Sequence, residues 1–260
     1  MIEFTWLNIS LIIGAGFLAG FINTLAGSGS LITVPLLIFM GLPANIANAT
    51  NRVMILLTNI VGVSSFRQQK VFKLKDSIWL SLPAIVGAII GALIAVDINE
   101  EIMTKIIGGL MVFLLITIIY KPQKWLKDIE AKTEKKFKFW QYILMFFVGL
   151  YGGFIQIGVG VFILSGLVLS CGFDLVKANA VKLFIILMYT IFALGIFIYN
   201  GQVNFIAGFL LAAGSMIGSF IATRVAVEWG PKFVRIILLT VVIVAIVKLL
   251  GIYEFITNLF

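Results

Sequence analysis

Two stretches of this chain repeat each other about 130 residues apart, and each is interrupted by glycine near its start. In the first copy, Gly16-Phe-Leu-Ala-Gly20 leads through Asn23 to Gly27-Ser28-Gly29-Ser30, and Ala47-Asn48-Ala-Thr-Asn51-Arg52 follows a short apolar run. In the second, Gly149-Leu-Tyr-Gly-Gly153 leads through Gln156 to Gly158-Val-Gly160, and Ala178-Asn179-Ala-Val-Lys182 follows. Hydrocarbon tolerates a broken helix only where its backbone is buried in protein or lines a cavity. Both breaks are therefore expected to line a cavity. A duplicated apolar unit built around such breaks is an architecture of secondary transporters.

Composition places the repeats in a bilayer. Of 260 residues, 62% are hydrophobic and 12% charged, about half the charge of a soluble domain. Several long runs nearly free of charge, spread along the whole chain, point to a polytopic α-helical membrane protein rather than to a single leader segment. The net charge of +8 does not indicate nucleic acid, because the cations lie between apolar runs, as the positive-inside bias requires. A lone cysteine, Cys171, and no histidine argue against an internal disulfide, a multi-cysteine metal site and most metalloenzyme or hydrolase chemistry. No metal, no cofactor and no catalytic residue is expected.

Ten hydrophobic segments can be read, five per half: 6–26, 31–40, 46–66, 77–96 and 102–120, then 140–157, 161–171, 178–199, 205–223 and 233–250. The expected division is a first repeat over 1–120, a basic linker over 121–139 and a second repeat over 140–260. A ten-residue helix rises only about 15 Å, half a hydrocarbon core. Segments one and two, and likewise six and seven, are therefore expected to form broken or re-entrant hairpins folded at the glycines. Each half then crosses the membrane an odd number of times, so the halves form an inverted repeat. Loop charge agrees. The basic loop after segment three (Arg67, Lys70, Lys73, Lys75), the linker and the Arg224/Lys232/Arg235 loop fall on the cytoplasmic side, and the acidic Asp97–Glu101 loop falls outside. Both termini are then outside, and the five tryptophans sit at segment ends as interfacial anchors. The expected location is the plasma membrane.

The run Asn23-Thr-Leu-Ala-Gly-Ser-Gly-Ser-Leu-Ile-Thr-Val-Pro35, with Gly41-Leu-Pro43 and Ala47-Asn-Ala-Thr-Asn-Arg52, resembles the sulfite exporter TauE/SafE family, also called the toluene sulfonate uptake permeases. The resemblance covers essentially the whole chain. It implies a transporter of small anions such as sulfite, sulfonates, sulfoacetate or related organic acids. The second half departs from the motif, with Val181-Lys182 where the first has Thr50-Asn51-Arg52. That departure makes transport more transferable than the identity of the cargo.

The candidate binding residues follow from the helix pattern. Segment three carries Asn48, Asn51, Arg52, Thr58 and Asn59, and segment eight carries Asn179, Lys182, Tyr189 and Thr190; in each, most share one helical face. Arg52 and Lys182 could snorkel to headgroups from helix ends. A cation this far inside a span more often faces a cavity, since deeper placement costs roughly 2.5–3.5 kcal/mol. For an oxyanion, Arg52 would offer a planar fork and Lys182 a point charge. The breaks at Gly27, Ser28, Gly29 and Ser30 and at Gly158 and Gly160 would add helix N-terminal N–H donors, with Asn23 and Gln156 beside them. The other small-residue pairs, Gly16/Gly20, Gly87/Gly91 and Gly214/Gly218, are read as helix-packing sites.

All eleven acids fall in or beside predicted loops, so no membrane-embedded carboxylate is available as a proton relay. Export of a monoanion from a negative-inside cell gains about 2.3 kcal/mol per 100 mV, and alternating-access export is the expected function. A passive anion channel is the nearest alternative, and a membrane-embedded enzyme a remote one. The expected partners are a small anion and the bilayer, with a homodimer left open and nucleic acid excluded.

Overall fold

The computed structural model describes residues 4–71, 74–120 and 137–249, and the regular structure among them is entirely helical. The first half contains α1 (Trp6–Ala26), α2 (Ser30–Phe39), α3 (Ala44–Gln68), α4 (Leu74–Val96) and α5 (Glu100–Tyr120). The second contains α6 (Phe139–Phe154), α7 (Val159–Ser165, prolonged by a π-helical turn over Gly166–Ser170), α8 (Leu175–Tyr199) and α9 (Phe205–Leu249). Among the described residues, five helical stretches are long and apolar enough to cross a membrane: α1, α3, Ser77–Val96 within α4, α8, and Phe205–Trp229 within α9. The chain is a multi-pass helical membrane protein. Most of the 121–139 linker lies outside the described residues.

Local chemistry sets most of the boundaries. Thr5 caps α1 by accepting from Asn8 N–H, and Asp174 caps α8 by accepting from Val176 and Lys177 N–H. α1 stops where Gly27 turns left-handed at φ 76° and its N–H closes onto Asn23 and Ile22 carbonyls. Gly158, at φ 71°, plays the matching part just before α7. One expectation changes. Segments 205–223 and 233–250 belong to one helix through Leu249. Residues 224–229 contain no helix breaker, so Arg224 stays helical, its guanidinium 4.3 Å from the Phe220 ring centroid. Gly230-Pro231 costs the helix a hydrogen bond without ending it.

The helices pack in a reciprocal pattern. α1 lies along α9, and α4 lies along α6, so a helix of each half pairs with a helix of the other. Glycine makes both contacts possible. A side chain on Gly16 or Gly20 would collide with the Leu211 or Ser215 backbone of α9, and one on Gly214 or Gly218 with Ile13 or Phe17 of α1. In the second contact, Gly87 and Gly91 meet Phe146 and Leu150, while Gly149 and Gly153 meet Ala84 and Ala88. These pairs are backbone-to-backbone seams, as small residues permit in membranes. Hydroxyls reinforce the α9 side: Thr24 bonds Ser219 at 2.8 Å and Thr58 bonds Ser215 at 2.6 Å.

α3 and α8 occupy the centre. A Cβ on Gly62 would lie 2.6 Å from Leu183, whereas the Phe197 ring stacks under the Arg52 guanidinium at 4.6 Å. Numbers rise along α3 as they fall along α8, so the two cross antiparallel. Both are deeply buried, and among the described residues α3 carries more of the buried polar side chains than any other helix. Trp6, Leu7, Phe39, Phe147 and Ile206 lie outside and exposed, an apolar exterior suited to lipid.

The seams are expected to be intolerant of volume. Gly20→Val and Gly153→Val should each lower stability by at least about 1–3 kcal/mol, measured by thermal unfolding in detergent. Gly14→Ala and Gly195→Ala meet nothing within 4 Å and should be neutral or slightly stabilising.

Candidate functional site

Each broken helix ends inside the protein, where its last carbonyls would otherwise lack donors. A cation from the other half closes each end. Arg52, on α3, donates through Nη1 to Gly152 O and Gln156 Oε1, both at 2.8 Å, and through Nη2 to Gly153 O at 2.7 Å and Phe154 O at 3.3 Å. Those carbonyls are the C-terminal end of α6. Lys182, on α8, donates to Asn23 O at 2.9 Å, Thr24 O at 3.1 Å and Asn179 Oδ1 at 2.7 Å, closing α1 in the same way. Both side chains are fully buried, so neither snorkels to the membrane surface.

Electrostatics explains how two buried cations persist without acids. A helix C-terminus carries roughly half a negative charge from its aligned peptides. The ends of α1 and α6 face Lys182 and Arg52 and supply that charge together with hydrogen-bond acceptors. By contrast, Lys105 and Glu101 form an ordinary exposed ion pair at 2.6 Å.

The remaining predicted residues divide between clusters. Asn48 donates to Phe154 O at 3.0 Å, which places it with Arg52 on the end of α6. Gln156 accepts from Arg52 and donates to Tyr189 Oη at 3.2 Å, so Tyr189 joins that cluster through Gln156. Asn179 and Asn23 belong with Lys182. Asn51 faces its own half instead: it donates to Ser30 Oγ at 2.9 Å and accepts from Thr33 Oγ1 at 2.6 Å. It holds α2 rather than joining Arg52.

The two glycine breaks meet. Gly27 and Gly160 pack backbone against backbone, with no room for a methyl group on either. Gly29 abuts Ala19 O, which folds α2 back onto α1, and Gly158 abuts the Leu114 side chain. Several first-turn donors are already used. Leu31 and Ile32 N–H bond Ser28 and Gly29 carbonyls, and Val159 and Val161 N–H bond Gln156 and Gly158 carbonyls. Ser28 is buried inside the first break. The expectation of unpaired N–H groups aimed at the break therefore gives way, for these four, to tight turns closed on themselves.

What is left unpaired describes the chemistry on offer. On the Lys182 side, the Asn23 and Asn179 Nδ2 groups lack partners; on the Arg52 side, Arg52 Nε and Asn48 Oδ1 do. Asn179 Oδ1 is held by an ammonium that can only donate, so its free atoms are donors. The Lys182 side thus presents donors to an oxyanion, while the Arg52 side presents a donor and an acceptor. Sequence reasoning found both cations but not their partners. It missed Thr33 and Phe197, whose roles depend on contacts between distant segments. Two buried helix C-termini call for cations, and that signal could have paired each cation with the opposite break.

Removing either cation should be costly. Arg52→Met and Lys182→Met should each lower stability by at least about 1.5–3 kcal/mol, the value of one charge-assisted bond, in detergent unfolding. Lys105→Met, at the exposed pair, should change it by no more than about 0.5 kcal/mol.

Comparison with known proteins gives the family. The family model described as Sulfite exporter TauE/SafE matches residues 12–249, so the chain belongs to that family. It is 29% identical over 251 residues to a protein of Escherichia coli strain K12 named probable membrane transporter protein YfcA, covering 94% of this chain and 90% of the relative. It is 27% identical over 237 residues to the probable membrane transporter protein ORF9 of a Sinorhizobium species, covering 91% and 90%. A Bacillus subtilis strain 168 relative, probable membrane transporter protein YjnA, is 24% identical, covering 94% of this chain and all of the relative. No solved structure matches the chain.

Proposed function

We propose that this member of the sulfite exporter TauE/SafE family, a membrane transporter, is a secondary carrier that moves small anions across the plasma membrane by alternating access, in the direction of export. Sulfite, sulfonates, sulfoacetate and related organic acids are the expected cargo. The observation that carries the reading is the pair of buried cations, Arg52 and Lys182, each holding the broken-helix end of the opposite half. A full anion competes well for such donors, because charge-assisted bonds to an oxyanion are roughly twice as strong as neutral ones. A substrate that draws Arg52 off α6, or Lys182 off α1, frees that broken helix from the central helix that holds it. Binding is then coupled to movement.

The halves act as inverted repeats, with hairpins α1–α2 and α6–α7 entering from opposite sides. The antiparallel α3–α8 crossing and the reciprocal α1–α9 and α4–α6 seams support this arrangement. The Arg52 end faces outward and the Lys182 end faces the cytoplasm. A carrier is favoured over an open channel because Asn23, Asn48, Arg52, Asn179 and Lys182 are all at most 3% exposed, so the polar centre is closed to solvent.

In proteoliposomes, saturable counterflow of sulfite or a small sulfonate is expected; single-channel currents would favour the channel, and no flux above empty vesicles would overturn both. Arg52→Ala should weaken binding from the outside more than from the inside, and Lys182→Ala the reverse, each by roughly ten- to hundredfold. Wild-type rates in both, at matched protein levels, would leave them a structural role alone. In a Cys171→Ser background, single cysteines at Asn99 and Asn200 should react with an impermeant reagent from outside, and one at Gln69 should not. Labelling of Asn200 only from the cytoplasm would mean parallel halves.

A further inference from the structure

Two polar side chains at the middle of the α3–α8 crossing belong to neither cation cluster. Among the described residues, Asn59 is fully buried with both Nδ2 and Oδ1 unpartnered, and Thr190 is fully buried with its Oγ1 unpartnered. They occupy the same place in the two halves. Asn59 follows Asn48 by eleven residues, and Thr190 follows Asn179 by eleven. Eleven residues make about three helical turns, so each lies on the stripe that carries its own half's cation.

The register brings the two stripes together. Gly62 sits against Leu183 and Arg52 against Phe197, so the stretch of α3 from Leu57 to Asn59 lies opposite the stretch of α8 from Leu187 to Thr190. Along the crossing the order is Arg52, Thr190, Asn59, Lys182. Asn59 lies about 10 Å of helical rise from Arg52, and Thr190 about 12 Å from Lys182. The pair therefore occupies the centre of the protein, between the two cations.

Leaving these groups unpaired is expensive, since a buried polar group without a partner has given up its bonds to water with nothing in return. Apolar side chains of similar size would pack there without that cost. Neighbouring buried hydroxyls do find partners, as Thr58 with Ser215 and Thr24 with Ser219 show. Asn59 and Thr190 differ from those two hydroxyl pairs, and they stand at equivalent positions of α3 and α8.

We propose that Asn59 and Thr190 form a central substrate station, and that the cargo is an anion which also carries a hydrogen-bond donor. The inference rests on the transporter reading and refines its substrate. An oxyanion accepts from Asn59 Nδ2 and from the Thr190 hydroxyl, under the field of the flanking cations. Asn59 Oδ1 can only accept. A cargo with no hydrogen to give leaves it unpaired, whereas a hydroxyl, ammonium or acid proton on the cargo satisfies it. A site built to bond such a group discriminates strongly against the analogue that lacks it.

The test uses two sulfonates of similar shape, isethionate and propane-1-sulfonate, which differ by a terminal hydroxyl in place of a methyl. Uptake of each by the full-length protein is measured in proteoliposomes, with sulfite as a third substrate. The wild type should prefer isethionate by at least about tenfold in kcat/KM. Asn59→Leu should bring the two sulfonates within about twofold while still carrying propane-1-sulfonate, and Thr190→Val, which removes a donor to the sulfonate group of both, should raise the KM of both by about tenfold and leave the preference in place. If Asn59→Leu does not fold, Thr190→Val decides through that common rise in KM, because it removes one hydroxyl at nearly constant volume. Sulfite transport without a sulfonate preference overturns this inference and leaves the transporter reading intact. So does a preference that survives in folded Asn59→Leu, or an unchanged KM in Thr190→Val, either of which would assign these side chains to bound water. Failure to move any of the three anions overturns both.

Discussion

Two helices end in the interior of this protein, and the cations that close those ends organise the rest of it. The carbonyls at the end of α1 and of α6 have lost their intrahelical donors, in surroundings where water cannot replace them. Lys182 and Arg52 supply the donors and balance the helix dipoles. Either element alone would be destabilising: a buried cation without acceptors, or a helix end without donors. Because each cation comes from the opposite half, the two requirements are met only when the halves interlock.

That reciprocity accounts for the placement of α3 and α8. Helices carrying buried amides and cations cannot face lipid, so they cross at the centre while more apolar helices surround them. The glycine seams along α1–α9 and α4–α6 are of a different character. Backbone in contact with backbone has no side chain to rearrange, and such seams move as units. The α3–α8 crossing instead contains unpartnered polar atoms that a second arrangement or a ligand could satisfy. In the proposed cycle the seams define the moving bodies and the crossing is where they adapt.

Much of this was legible from residue patterns. Helix positions followed from runs of apolar residues bounded by glycine, proline and charge, and nearly every predicted segment has its helix. The exception is α9, where a boundary inferred from Arg224, Lys232 and Arg235 is not a helix end, because charge alone does not break a helix. Gly27 and Gly158 were recognisable as breaks because glycine readily adopts a left-handed turn. Arg52 and Lys182 stood out because charge inside an apolar span requires a reason. Their partners were hidden. Asn48 and Asn51 are three residues apart on one helix, yet one bonds α6 and the other α2.

What the sequence determined by itself was the solvent, the helices, the duplication, the breaks and the residues too polar to meet lipid. These are local properties, set by side-chain transfer energies and backbone preferences within a few residues. The tertiary structure alone decided that the two breaks touch at Gly27 and Gly160, that each cation serves the other half, and that the Asn59 amide and Thr190 hydroxyl find no hydrogen-bond partner among the described residues. Those outcomes depend on which helices cross and in what register. Many pairings bury the same apolar area, and only the assembled protein shows which of them also satisfies the buried carbonyls.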